Sequence, residues 1–186
     1  EDVLGASECI GGGSASTPVL ELGKRIELVV TIPRAKLWIP GTRVARANLY
    51  NANFTLMGVD GTNIAQRSIR YGVRQLELVG NRILFNGERL FLRGYGSDAA
   101  YASTAAPPTD KDFYYRQLRE MKALGFNFVR LHTHSMPAEF FDVMDELGLL
   151  CNPEFAVTHE GGPTQTDWLN SSLVRQGLSS SFTSIV

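Results

Sequence analysis

Cysteine is scarce, with only Cys9 and Cys151 in 186 residues. They lie far apart in unlike segments, so neither a metal knuckle nor a disulfide framework is expected. Cys151 sits inside an apolar run and reads as a small buried core residue. An excess of charge of one sign is also lacking. Eighteen basic side chains face nineteen acidic ones, a net charge of −1, which creates no long-range field for nucleic acid or an anionic bilayer. Nucleic acid and membrane are therefore not expected partners. No apolar run approaches the ~20 residues that cross a bilayer. Glu1-Asp2-Val3-Leu4 lacks the charged start and apolar centre of a secretory signal, so no compartment is assigned. What is present, 44% hydrophobic and 20% charged residues, is the profile of a globular chain able to bury a core.

Two halves follow different rules. From Val19 to about Leu78 the chain is β-like, with runs such as Ile26–Ile32 and Ala47–Leu56 whose alternation and β-branched residues favour strands. Turn signals separate these runs at Pro40-Gly41, Asp60-Gly61 and Asn86-Gly87. The last is flanked by Ile83–Phe85 and Leu90–Leu92, as a hairpin requires. The first half thus reads as an antiparallel, sandwich-like module. Gly11–Pro18, rich in Gly and Ser, reads as a connector.

From Leu90 onward strands and helices alternate. Thr109 is expected to cap a helix from Asp110 to Leu124, with Asp112 as its capping-box partner and Gly125 as its stop. Tyr114, Leu118, Met121 and Leu124 form its apolar face. Phe126–Leu131 is the next strand. Pro137 opens a second helix with a Phe140, Met144 and Leu147 stripe and a stop at Gly148. Leu149–Glu154 is the third strand. Short strand-helix-strand connections imply a parallel sheet with right-handed crossovers, like the opening of a (β/α)8 barrel. In such barrels chemistry gathers where strands end, and the ends here carry Arg130, His132, His134 and Glu154. Beyond Phe155 the pattern dissolves. A weakly marked helix starts near Asp167, and Ser179–Val186 reads as a frayed end.

Other chemistries are open for the same residues. Arg130 and Glu154 suit a structural ion pair between adjacent strands. His132 and His134 would share a face if the strand continued that far, and with Glu154 could ligate zinc, although no further His or Asp cluster completes such a site. His159-Glu160 reads as plain loop. Tyr95, Tyr101, Tyr114, Tyr115, Trp38 and Trp168 could stack on a sugar, but packing accounts for most such rings. Trp168, beyond a strand end, is the better stacking candidate of the two tryptophans.

Five stretches, in order, resemble glycoside hydrolase family 2, the group of β-galactosidases, β-glucuronidases and β-mannosidases. Lys36-Leu-Trp-Ile-Pro40 is similar to its Leu-Trp-Ser-Pro. Tyr71-Gly-Val-Arg74 resembles the Phe-Gly-Ile-Arg that ends its immunoglobulin-like domain, and Phe85-Asn-Gly-Glu-Arg-Leu-Phe-Leu-Arg-Gly94 resembles its entry to the barrel. Gly125-Phe-Asn-Phe-Val-Arg130, preceded by Met121-Lys122, and Asp145-Glu-Leu-Gly148 continue the match.

The resemblance implies an α+β chain in two parts: residues 1–79 a partial immunoglobulin-like β-sandwich, and residues 80–186 the first three strands and helices of a (β/α)8 TIM barrel. It implies retaining β-glycosidase chemistry on a carbohydrate substrate, without a cofactor or metal. Retaining enzymes need two carboxyl groups about 5 Å apart. In the family the acid/base Glu follows an Asn at the fourth barrel strand and the nucleophilic Glu ends the seventh. This sequence has no Asn-Glu dipeptide, so no catalytic residue carries over and an inactive fragment is expected. Arg130 matches the family Arg that supports the nucleophilic carboxylate. His132 or His134 lies near the family's Ser-His-Tyr-Pro position, in a longer loop, and Glu154 matches an acidic position expected to accept a sugar hydroxyl. The alternative is a non-catalytic carbohydrate-binding or scaffold module. A metal-dependent hydrolase is the weakest reading.

Overall fold

Asn86 and Gly87 both adopt positive φ, 53° and 80°, the signature of the two-residue turn expected of Asn-Gly. They join β4 (Arg82–Phe85) to β5 (Glu88–Leu90), and β3 (Leu76–Val79) pairs antiparallel on the other side of β4. Ahead of this meander, β1 (Tyr50–Met57) and β2 (Asn63–Tyr71) form an antiparallel ribbon from Tyr50↔Tyr71 to Met57↔Asn63. Its turn is held by Asp60, whose Oδ1 accepts from the Thr62 amide at 3.0 Å, and by positive φ at Gly61. These elements belong to a computed structural model that describes residues 12, 29–41, 46–98, 100–101 and 103–154.

The first half of the described chain is therefore two small antiparallel sheets, with Phe54, Leu56, Ile69, Leu76 and Leu78 exposed on them. The run Ile26–Ile32 departs from expectation where it is described. Residues 29–32 form no strand, and Val29 is 80% exposed. Its β-branched residues satisfy the propensity but find no partner strand among the described residues, and pairing is what makes a strand.

The second half is the predicted parallel unit. β6 (Gly94–Ser97), β7 (Phe128–Leu131) and β8 (Leu150–Pro153) lie side by side in that order, all parallel, linked through α1 (Lys111–Ala123) and α2 (Ala138–Leu147). Tyr114 and Leu118 of α1, Val129 and Leu131 of β7, and Phe140, Val143, Met144 and Leu147 of α2 form one buried cluster. Because strand side chains alternate, Phe128 and Arg130 point to the opposite face, away from that cluster. Asn127 aligns β6 with β7. Its buried amide accepts from the Arg93 N–H at 2.8 Å and donates to the Phe91 carbonyl at 2.9 Å.

The start of α1 differs from expectation. The cap of α1 is Asp110, not Thr109: its carboxylate accepts from the Asp112 amide at 2.9 Å. A carboxylate at the cap also favours the positive end of the helix dipole. Leu124 is 75% exposed rather than part of the apolar face. It stands past the last helical turn, and the fourth place on that face goes to Lys122, buried with its Nζ on the Leu147 carbonyl. Pro137 precedes α2 as expected, and Gly148 ends it at φ 69°.

The end of α2 is where the two halves meet. The last carbonyls of a helix lack intrahelical donors, and here each receives one from elsewhere. Leu149 N donates to Met144 O at 2.9 Å, Trp38 Nε1 to Asp145 O at 2.8 Å, Ala47 N to Glu146 O at 2.8 Å, Lys122 Nζ to Leu147 O, and Gly41 N to Gly148 O at 2.7 Å. Three of these five donors come from residues 38–47. Trp38 is 1% exposed, its ring 5.6 Å from Phe85 with the Arg74 guanidinium 5.3 Å above it. It is thus a packing residue, not a stacking platform. Arg70 of β2 adds a forked contact to α2, with Nη1 on Glu146 at 2.8 Å and Nη2 on Asp142 at 2.6 Å.

Trp38→Phe keeps most of the ring volume but removes the donor to Asp145 O, and should lower stability by about 1–3 kcal/mol in urea unfolding. Gly148→Ala should cost about 2 kcal/mol or more, from left-handed backbone and from a Cβ placed 2.7 Å from the Ile39 carbonyl. Unfolding midpoints equal to wild type for both variants would contradict this picture of the joint.

Candidate functional site

Because β6, β7 and β8 are parallel, their C-terminal ends lie on one side of the molecule, and the chain's polar strand-end residues collect there. Arg130 sits in register with Gly96 on β6 and Asn152 on β8. All three share the face opposite the buried cluster. None of the described residues lies within 4 Å of where a Cβ on Gly96 would be, so they leave the space beside Arg130 open, and the Arg130 side chain is 52% exposed.

Glu154, one residue past β8, reaches back to Arg130. Its Oε1 accepts from Arg130 Nε at 2.5 Å, and its Oε2 accepts from the Thr133 amide at 3.1 Å. These two bonds, the arginine first and the amide second, hold the Glu154 carboxyl below the ordinary glutamate value. The expected ion pair between neighbouring strands is thus present, formed through Nε alone rather than through the terminal fork.

Thr133 has φ 57°, a left-handed conformation that a β-branched residue adopts only under constraint. That turn ends the strand at Leu131, so His132 and His134 do not share a strand face as they would if it continued. His132 Nδ1 lies 2.9 Å from Asp98 Oδ1 at the end of β6, and its amide donates to the Ser97 carbonyl at 2.9 Å. His134 turns the other way. Its Nδ1 is 2.7 Å from the His132 carbonyl. A carbonyl only accepts, so Nδ1 carries the proton, and the buried Nε2 has no hydrogen-bond partner among the described residues.

Arg130 and Glu154 are therefore brought together, His132 stands beside them on a different partner, and His134 is set apart. The zinc reading fails on this geometry: the two imidazoles and Glu154 face different partners, and among the described residues no group of three His, Cys, Asp or Glu converges. Asp98 and Thr133 are site residues that the sequence reading passed over. Asp98 was within reach of the strand-end rule, since it directly follows β6. Thr133 carried no signal, because its role lies in its backbone.

The tyrosines serve packing. Tyr114 is fully buried between Phe113 and Phe140 and donates to the Pro108 carbonyl. Tyr95 meets Phe126 edge-on, and burial pushes its hydroxyl up to about 12. Tyr101 packs on Phe113, and Tyr115 bonds Glu146. Burial likewise pushes the Cys151 thiol up to about 11, which makes it an inert core thiol, as expected. Trp168, His159 and Glu160 lie outside the described residues.

No protein-family model matches the chain. Individual proteins do. It is 29% identical over 159 residues to the exo-β-D-glucosaminidase of Amycolatopsis orientalis, covering 77% of this chain and 15% of that one. It is 31% identical over 102 residues to the β-galactosidase of Kluyveromyces lactis, covering 54% of this chain and 10% of the other. Among solved structures, the exo-chitosanase CsxA of A. orientalis superposes with TM-score 0.55 at 28% identity, over 71% of this chain and 15% of that one. A β-glucuronidase of Ruminococcus gnavus in complex with uronic deoxynojirimycin gives 0.62 at 20% identity, over 70% and 22%. The chain thus spans less than a quarter of each of these enzymes. With antiparallel sheets leading into a parallel strand-helix-strand sheet, it is related to the glycoside hydrolases of family 2 and matches one part of them.

Proposed function

We propose that this chain is the part of a retaining β-glycosidase in which an immunoglobulin-like sandwich, residues 1–79, passes into the first three strands of a (β/α)8 barrel, residues 80–186. The sheet β3–β4–β5 spans the passage between them. Arg130, His132 and Glu154 form part of the wall of a pocket for a carbohydrate, His134 stands behind them rather than in it, and none of them is catalytic. The observation that carries this reading is the gathering of Asp98, Arg130, His132 and Glu154 at the C-terminal ends of three adjacent parallel strands, where barrel enzymes place their sites.

The chemistry follows from what these groups can and cannot do. Double displacement at an anomeric carbon requires a carboxylate nucleophile and a carboxylic acid about 5 Å from it. Glu154 is clasped by Arg130 and Thr133, and its lowered pKa makes it a poor proton donor. Arg130 keeps its terminal NH2 groups unengaged among the described residues, which suits a fork waiting for a carboxylate. The carbohydrate-binding module has less support. Every described Trp and Tyr is buried or half-buried, so the described residues offer no open Trp or Tyr platform for stacking.

The purified 186-residue chain should show no hydrolysis of nitrophenyl β-glycosides above background. Turnover that disappears in Arg130→Ala would contradict this. A second expectation concerns pH. The folded-state pKa of Glu154 is depressed, so its contribution is fully present above the ordinary glutamate value of 4.5 and is lost as pH falls through the lower folded midpoint. A carboxyl NMR titration should place that midpoint below 4.5 and move it upward in Arg130→Gln. An unmoved midpoint would remove the arginine as the main cause.

A further inference from the structure

Arginine and a carboxylate usually meet fork to fork, through two parallel N–H···O bonds. Glu154 does something else. One oxygen takes Arg130 by Nε only, at 2.5 Å, and the other takes a backbone amide, that of Thr133 at 3.1 Å. The carboxylate thus ties the guanidinium to the turn after β7, and the two Nη groups have no partner among the described residues on a strand in register with Gly96 and Asn152. The tie has a local cost, since Thr133 is held at φ 57°, a conformation unfavourable for a β-branched residue unless its surroundings enforce it.

We propose that Glu154 is a positioning residue: by holding Arg130 through Nε and fixing the Thr133 turn, it aims the arginine's Nη fork across the uncovered sheet face to receive a carboxylate. This rests on the function proposed above, in which that carboxylate is the enzyme's nucleophile, and it replaces the expected role of Glu154 as a hydroxyl acceptor. A freely rotating arginine would present five donors in many directions. One fixed at Nε presents the remaining four, on its two Nη groups, in a plane set by the protein. Holding Nε in advance removes orientational freedom that would otherwise be lost when the carboxylate arrives.

The test uses the 186-residue chain with arginine side chains labelled with 15N and acetate standing in for the carboxylate. In wild type, the Arg130 Hε should exchange with water at least about tenfold more slowly than that of exposed Arg82. Acetate should shift the Arg130 Hη resonances saturably, beyond any effect of equal chloride, and leave Hε unmoved. In Glu154→Gln, Hε protection should fall and the acetate response of Hη should weaken several-fold. Thr133→Gly keeps the amide and releases the strain, and should retain both properties. It also serves as the folded control should Glu154→Gln lose its dispersed spectrum. A purely structural Glu154 would leave the Hη response to acetate unchanged in Glu154→Gln, and that result would overturn the proposal. So would an Hε in wild type as fast as that of Arg82, or a response to D-glucuronate with none to acetate. Absence of glycosidase activity in a longer form of the protein would refute the wider function and leave these resonances as they are.

Discussion

The last turn of α2 is the constraint on which the rest of this chain depends. Its carbonyls from Met144 to Gly148 cannot be satisfied within the helix, and the chain satisfies them with Leu149, Trp38, Ala47, Lys122 and Gly41. A buried unpaired carbonyl is expensive by about 1–3 kcal/mol, so five such groups at one helix end demand a partner surface. That surface is the segment around Trp38. The antiparallel part of the chain is thereby joined to the parallel part by hydrogen bonds that both need, and the aromatic contact with Phe85 together with the Arg70 fork closes the joint.

From that joint the strand ends take their places. α2 packs Phe140, Val143, Met144 and Leu147 against β7, while α1 adds Tyr114 and Leu118. With Val129 and Leu131 drawn into this core, strand alternation sends Phe128 and Arg130 to the other face. Asn127 sets the register of β6 on β7. Asp98, Arg130 and Glu154 are therefore brought level by backbone packing that none of them controls. The polar groups then lock one another: His132 to Asp98, Arg130 to Glu154, Glu154 to the Thr133 amide. Among the described residues the face they share is left open, and Arg130 lies on it half-exposed.

Much of this was legible in the residues. The Asn86-Gly87 turn has a sequence signature because only a few residue types accept positive φ at both positions. Gly148 and Gly125 end their helices for the same reason. The three parallel strands followed from apolar runs alternating with helical stripes, and the strand-end residues followed from topology. Other features were not legible because they are settled by tertiary partners. Leu124 and Lys122 exchanged the places their hydrophobicity suggests, since Lys122 finds a carbonyl to donate to and Leu124 falls past the helix. Val29 to Ile32 had strand propensity and no strand to pair with among the described residues. Trp38 gave no hint of being a cap for a helix more than a hundred residues away in sequence, because a cap from such a distance leaves no local pattern.

In the proposed function the strand-end site is a supporting wall of charge-holding groups that brings no nucleophile from the described residues, and the chain matches a small part of the enzymes it is similar to. The most direct test of that claim is to sequence the transcript that encodes the chain, past the codon for Val186. The predicted result is an open frame that reaches an Asn-Glu pair at the end of a further apolar strand and, later, a second Glu at another strand end. A stop codon immediately after Val186, or a long frame with neither carboxylate, would contradict it.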